Sequence, residues 1–198
     1  SITAPDADYI GALLRPVSDL RIGLPTGDYF ARLHPDTDTA VKNALAILDS
    51  LTSESKDIAL PAAPNFAPLL AESYAWHEAY LADERNHSQY NPVTLGRLLD
   101  AGAVSTADYI RAQQDMLRIR HEINDVFSEV DILVTPTSPG LPERIDQAIN
   151  PSQANTTEQS ARNTAHFTLS RIPTISVPYG FSTYALTMHS QISKATLV

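Results

Sequence analysis

The sequence is poor in glycine and has no cysteine. It contains 7 glycines in 198 residues, whereas average usage of about 7% predicts roughly 14. Neither G-x-G-x-x-G nor G-x-x-x-x-G-K occurs, which argues against the glycine-rich loops that bind nucleotide phosphates in Rossmann and P-loop proteins. The absence of cysteine excludes disulfides, thiolate zinc sites and cysteine nucleophiles.

Basic residues are also scarce. Lysine and arginine total 14 against 23 acidic residues, a net charge of −9, and the lysines are Lys42, Lys56 and Lys194. Because no basic patch is present, we expect no nucleic-acid partner and no anionic membrane partner. No apolar run approaches the roughly 20 residues of a membrane span. The lack of cysteine and of a visible signal peptide favours a cytoplasmic location. Since the chain starts at Ser1 without Met, we expect it to be processed or to begin within a longer protein.

Direct searches for metal-binding and catalytic patterns find little. The six histidines show neither H-x-x-x-H nor H-E-x-x-H spacing, so we expect no metal and no cofactor. The segment Gly180–Tyr184 approaches the G-x-S-x-G nucleophile elbow, but Tyr184 stands where the second glycine is required.

Short strands alternate with helices along the chain, which is typical of an α/β fold. The most regular helix begins at a capping box, Ser105–Asp108, and leads into the strand Asp131–Thr135, which is apolar on both faces like a central parallel strand. Other strands are predicted at Leu20–Pro25, Asp57–Pro61 and Thr174–Val177. Other helices are predicted after a cap at Asp36 or Thr37, and over Pro68–Asp83, Thr94–Asp100 and Gln159–Leu169. From the residues alone, this is an α/β piece without a self-contained active site.

Four stretches form a recognisable combination: Leu20–Asp36, Tyr109–Gln113, Asp131–Pro139 and Arg162–Phe181. The third reads D-h-h-h-T-P-T-x-P, where h is apolar, and the fourth contains R-N-T-x-x-F followed by S-V-P-x-G-F. Together they resemble the amidase signature family of serine amide hydrolases, and the last two are fairly specific in combination. The resemblance covers most of the chain and is weakest over 182–198.

The resemblance implies that residues 1–198 are a single partial domain, similar to the C-terminal half of an amidase. The expected fold is part of an α/β/α sandwich around a mixed central sheet, with the N-terminal half missing. In this family a serine attacks the amide, and its proton is relayed through a second serine on a cis peptide to a neutral lysine. A glycine-rich turn holds the oxyanion. Those groups lie before the point that Leu20 matches, so no catalytic residue is assigned to this chain.

The turn Thr135–Pro136–Thr137 is the candidate site, because α/β sheets place ligand contacts at the carboxyl ends of their strands. The resemblance likewise implies that these three residues line the substrate pocket. The alternative is a strand stopped by proline, whose threonines only satisfy backbone groups, and both interpretations stay open. Arg162 and Asn163 are expected to tie the following helix to this turn rather than to touch substrate.

The chain also departs from the family pattern. Arg171 stands where the family commonly has glycine, and Thr168 where it has asparagine. If the glycine adopts a positive φ, its replacement by arginine costs free energy. The favoured hypothesis is the C-terminal part of an amide hydrolase, inactive alone, whose partner is a small-molecule amide when the full-length enzyme is assembled. The alternatives are a non-catalytic remnant or interaction module, and a glutamine-hydrolysing amidotransferase subunit.

Overall fold

The computed structural model describes residues 8–63, 65–141, 162–182 and 193–197. In this part of the chain the α-helices are α1 (Tyr9–Ala12), α2 (Pro35–Leu51), α3 (Ala67–Leu81), α4 (Pro92–Ala101), α5 (Thr106–Val126) and α6 (Ala165–Ser170). Two 3-10 helices cover Asp28–Phe30 and Glu84–Gln89. The strands are β1 (Arg21–Pro25), β2 (Glu54–Ile58), β3 (Ile132–Pro136), β4 (Ile175–Gly180) and β5 (Ser193–Leu197). Within these ranges no helix combines the length and apolarity needed to cross a membrane.

The strands form one mixed sheet in the order β2-β1-β3-β5-β4. β1 runs parallel to β2 and to β3, whereas β5 runs antiparallel to β3 and to β4. The expected α/β class with a mixed sheet is therefore confirmed. β3 lies at the centre, and its burial from Leu133 to Pro136 explains why its sequence is apolar on both faces.

The parallel pair β1–β3 is joined at its start by an ion pair. The Arg21 guanidinium donates from Nη2 to Asp131 Oδ1 at 2.9 Å and from Nη1 to the Ser128 carbonyl oxygen at 3.0 Å. The Arg21 main-chain N–H donates to Asp131 Oδ2 at 2.9 Å. These hydrogen bonds from Arg21 lower the pKa of Asp131 to about 2. The carboxylate thus stays charged at neutral pH and holds the two strands in register.

Close packing between these strands requires glycine at position 23. A Cβ added there would come within 2.8 Å of Leu133 Cδ2 and 3.1 Å of Val130 Cγ2. Leu133 and Val130 belong to the buried core, which also contains Ile58, Val126 and Phe167. Gly23 is therefore a glycine whose lack of a side chain permits the packing of the core.

Two predicted helix details can be compared with the structure. The cap of α2 is His34, whose Nδ1 accepts from the Asp36 main-chain N–H at 3.2 Å, so the prediction of a cap at Asp36 or Thr37 is wrong. His34 precedes Pro35, which fits the first helical turn because proline has no N–H to satisfy there. The predicted cap of α5 is confirmed, since Ser105 Oγ accepts from the Asp108 N–H at 3.1 Å.

Helix α6 is followed by a residue in a left-handed conformation. Arg171 is the residue after this helix and has φ 57° and ψ 36°. Its position is the one where the family pattern has glycine, and the positive φ supplies the physical reason. An L-residue in this region costs roughly 1–2 kcal/mol relative to the right-handed region, a cost from which glycine is largely free.

We therefore expect Arg171→Gly to stabilise the chain by about 0.5–1 kcal/mol. The relief of left-handed strain exceeds the added entropy of the unfolded chain. The measurement is urea unfolding followed by circular dichroism. Arg97→Gly is the matched control, because exposed Arg97 lies inside α4 and glycine there should cost about 1 kcal/mol. Equal losses of stability in both variants would contradict the role assigned to the φ angle.

Candidate functional site

The turn that follows β3 is held by one buried amide. Asn163 is fully buried, and its Nδ2 donates to the Pro136 carbonyl oxygen at 2.7 Å and to the Tyr29 carbonyl oxygen at 2.9 Å. One side chain thus joins the carboxyl end of β3, the first 3-10 helix and the segment that leads into α6. Because buried carbonyl groups need partners, this amide decides where the turn lies.

Arg162 braces the same segment. Its Nη2 donates to the Ala31 carbonyl oxygen at 2.7 Å and its Nε to Asn163 Oδ1 at 3.2 Å. Desolvation lowers the pKa of Arg162 from its usual range. Both side chains make internal contacts, as expected if Arg162 and Asn163 tie the helix to the turn.

Three hydroxyl groups lie on one face of the sheet near the turn. Thr135 and Ser176 both pair with Thr196 of β5, and paired residues of antiparallel strands share a face. Thr137 lies two residues beyond Thr135, and its Oγ1 is 3.2 Å from Ser176 Oγ. Hydroxyls both donate and accept hydrogen bonds, so this face, the hydroxyl face, suits a neutral amide, which presents a C=O and an N–H.

The Thr135 hydroxyl differs from the other two in its burial. The residue is fully buried, and its Oγ1 has no hydrogen-bond partner among the residues that the structure describes. A buried hydroxyl without a partner costs free energy, so it calls for an explanation. Because Thr135 is fully buried, its hydroxyl does not decide between a turn that lines a substrate pocket and a turn whose threonines serve only the backbone.

The loop beyond the turn is anchored on the other side. The His34 N–H donates to the Pro139 carbonyl oxygen at 2.8 Å, which connects the loop to the start of α2. β4 packs closely on the same helix, since a Cβ at Gly180 would lie 2.9 Å from the Cβ of Ala40. The turn is therefore fixed between α2, β4 and the Asn163 segment.

Sequence reasoning missed a pair of side chains near Asn163, formed by half-buried Tyr29 and buried His166. The Tyr29 hydroxyl is 2.7 Å from Nδ1 of His166, which is 2% exposed. The two rings lie against each other and against Phe167, with centroid separations of 5.9–6.5 Å. Burial raises the pKa of Tyr29 to about 12 and lowers the pKa of His166, so both are neutral at pH 7. No sequence pattern connects positions that are 137 residues apart.

The described ranges contain no group of three histidine, aspartate or glutamate side chains that could hold a metal ion. Lys42 pairs with Asp38 at 2.6 Å and Lys56 with Glu129 at 3.1 Å. Both of these lysines are therefore engaged in ion pairs with carboxylates away from the turn. Within the same ranges the chemistry of the turn is accordingly that of hydroxyls and backbone groups.

The chain matches a known family over almost its whole length. The sequence model of the Amidase family matches residues 2–192. An amidase from Pseudomonas putida is 27% identical over 192 residues, which cover 92% of this chain and 41% of the relative. A glutamyl-tRNA(Gln) amidotransferase subunit from Chloroflexus aggregans is 29% identical over 208 residues, covering 92% of this chain and 42% of the relative. The chain thus spans about two-fifths of the length of these relatives.

Solved structures with the same fold are also found. A bacterial aryl acylamidase of the amidase signature family has a TM-score of 0.72 at 16% identity, with 96% of this chain and 42% of that chain covered. A 6-aminohexanoate cyclic dimer hydrolase in complex with substrate has a TM-score of 0.66 at 18% identity, with 99% and 44% covered. At these identities the similarity shows the fold, and it confirms a partial amidase-signature α/β architecture.

We expect Asn163→Ala to destabilise the chain by about 2–4 kcal/mol, because it leaves the Pro136 and Tyr29 carbonyl groups without their donor in a buried place. Asn124→Ala is the matched control: Asn124 is exposed on α5, and its replacement should stay within about 0.5 kcal/mol of the unmodified chain. Urea unfolding measures both. An Asn163→Ala variant as stable as the control would contradict the central position given to this amide.

Proposed function

This chain belongs to the amidase signature family, and we propose that it is the C-terminal part of a hydrolase that cleaves carbon–nitrogen bonds of amides through a serine acyl-enzyme. Hydrolysis of amide bonds is the activity that the family match and the named relatives support. Residues 1–198 form, in this proposal, one partial domain that supplies a wall of the substrate pocket. The nucleophilic serine, its relay serine and lysine, and the oxyanion turn belong to a segment outside these residues.

One observation carries the assignment of the pocket wall. The turn Thr135–Pro136–Thr137 lies at the carboxyl end of the central strand and is held by the buried Asn163. This end of an α/β sheet is where ligands bind. A wall that is held by hydrogen bonds to its backbone keeps its position when substrate binds, which preserves the alignment that acyl transfer requires.

The proposed reaction needs little from this wall except orientation. The serine oxygen attacks the amide carbon, its proton passes through the second serine to the lysine, and backbone N–H groups hold the negative oxygen. The leaving nitrogen takes a proton as the C–N bond breaks, and water then hydrolyses the ester. The Thr137 and Ser176 hydroxyls hold the neutral amide or its flanking group in place during both steps.

A glutamine-hydrolysing amidotransferase subunit is the second candidate, favoured by the relatives named as glutamyl-tRNA(Gln) amidotransferase subunits. Glutamine carries a charged ammonium and a charged carboxylate, which need charged partners when buried. Arg162, the cation nearest in sequence to Asn163, donates to the Ala31 and Asn163 oxygens instead. In this proposal, charged partners for glutamine would have to come from residues other than Arg162.

The test is a chimera that joins the N-terminal part of the Pseudomonas putida amidase, up to the matched segment, to residues 1–198. We expect it to hydrolyse small neutral aryl amides. Thr137→Val in the chimera should raise KM about 3- to 10-fold with a smaller change in kcat, because one substrate hydrogen bond is lost. Thr94→Val, at an exposed position of α4, is the control and should leave both constants unchanged.

The 198-residue chain alone should give no turnover and no serine labelled by a fluorophosphonate. Turnover by the chain alone, with one of its own serines acylated, would refute the placement of the catalytic groups. A chimera that unfolds cooperatively yet hydrolyses neither aryl amides nor glutamine would favour the non-catalytic remnant. Glutamine as the preferred substrate would instead favour the amidotransferase interpretation.

A further inference from the structure

The segment Arg162–Ser170 forms hydrogen bonds with both the main chain and the side-chain hydroxyl of Tyr29. The Asn163 amide binds the Tyr29 main-chain oxygen at 2.9 Å, and His166 binds the Tyr29 hydroxyl at 2.7 Å. The same Asn163 amide binds the Pro136 carbonyl oxygen at 2.7 Å. A displacement of this segment away from Tyr29 would therefore also move Asn163, the residue that holds the turn.

The second ring nitrogen of His166 has no such partner. Nε2 is buried and makes no hydrogen bond within the part of the chain that the structure describes. In either neutral tautomer the pair with Tyr29 uses Nδ1, so Nε2 carries an unsatisfied proton or lone pair. After protonation of the ring, Nε2–H would carry part of a full positive charge in a buried place with no acceptor, which is strongly unfavourable.

The charged groups that the structure describes on the surrounding elements are engaged in contacts of their own. On the 3-10 helix of Tyr29, Asp28 pairs with Arg32 at 3.2 Å. Arg162, on the segment of His166 itself, is cationic, and so is Arg120 of α5, whose Nε donates to the Ser170 carbonyl oxygen at 3.2 Å. From α2, the imidazole of His34 accepts from the Asp36 N–H. Burial is the cause that lowers the pKa of His166, and the Asp28 carboxylate is already paired with Arg32.

We propose that Tyr29 and His166 form an acid-sensitive clamp, which holds the Thr135–Pro136–Thr137 turn at neutral pH and releases it when His166 is protonated. The sign follows from burial, which lowers the pKa of His166 from its ordinary value of 6.5. The open or unfolded chain therefore binds the proton more readily than the closed one. The clamp's full contribution is present above pH 6.5 and is lost as the pH falls through the lowered pKa.

The experiment is hydrogen exchange of the 198-residue chain at pH 7.5 and pH 5.5, read by mass spectrometry and corrected for the intrinsic effect of pH. We expect peptides over 132–141 and 162–170 to lose protection together at pH 5.5, by up to about tenfold, the limit that linkage sets one pH unit below the ordinary pKa. The peptide of α4, residues 92–101, serves as internal reference and should keep its protection.

Two variants separate the clamp from general acid sensitivity. His166→Gln keeps a polar side chain but cannot titrate, so protection of both segments should be the same at the two pH values. His121→Gln makes the same change at an exposed position of α5 and should behave like the unmodified chain. The proposal is overturned if the unmodified chain shows no selective loss in the two segments, or if His166→Gln shows the same loss. The first comparison needs no variant, so it decides even if His166→Gln does not fold.

Discussion

One side-chain amide determines how the carboxyl end of the central strand is built. Asn163 bonds two carbonyl oxygens that belong to distant parts of the sequence, Pro136 and Tyr29, while it is itself fully buried. Its own oxygen accepts from Arg162, which in turn donates to Ala31. Without this amide the turn, the 3-10 helix and the start of α6 would lose the one side chain that bonds to all three.

In the proposed function, the contribution of this arrangement is structural. A hydroxyl face, a fixed turn and a central strand provide shape and orientation, whereas the proposal assigns the activated serine, its base and the oxyanion donors to another segment. Lys42 and Lys56 are both engaged in ion pairs at the surface. The scarcity of glycine is consistent with this division, because the glycine-rich turn of the family is expected in the other part of the enzyme. At Arg171 the chain instead accepts a left-handed backbone without a glycine.

Local patterns predicted much of the fold because local physics decides it. The cap at Ser105 and the apolar spacing along α5 follow from helix geometry, and the buried strand β3 follows from an uninterrupted apolar run. The two motifs that contain Thr135 and Asn163 led us to expect that Asn163 ties its helix to the turn after β3. Because Glu54 and Lys56 are polar, the sequence pattern predicted the start of edge strand β2 at Asp57, three residues after its observed start at Glu54. The Tyr29–His166 pair depends on contacts across 137 residues, which no periodicity encodes.

The most direct test is a crystal structure of the amidase chimera with its serine acylated by an amide-like inhibitor. If the turn held by Asn163 is a wall of the substrate pocket, the inhibitor should lie within about 4 Å of Thr137 or Pro136. The Asn163 amide should still bind the Pro136 carbonyl oxygen. An acylated serine whose inhibitor makes no van der Waals contact with Thr135, Pro136 or Thr137 would contradict the proposed role of this turn.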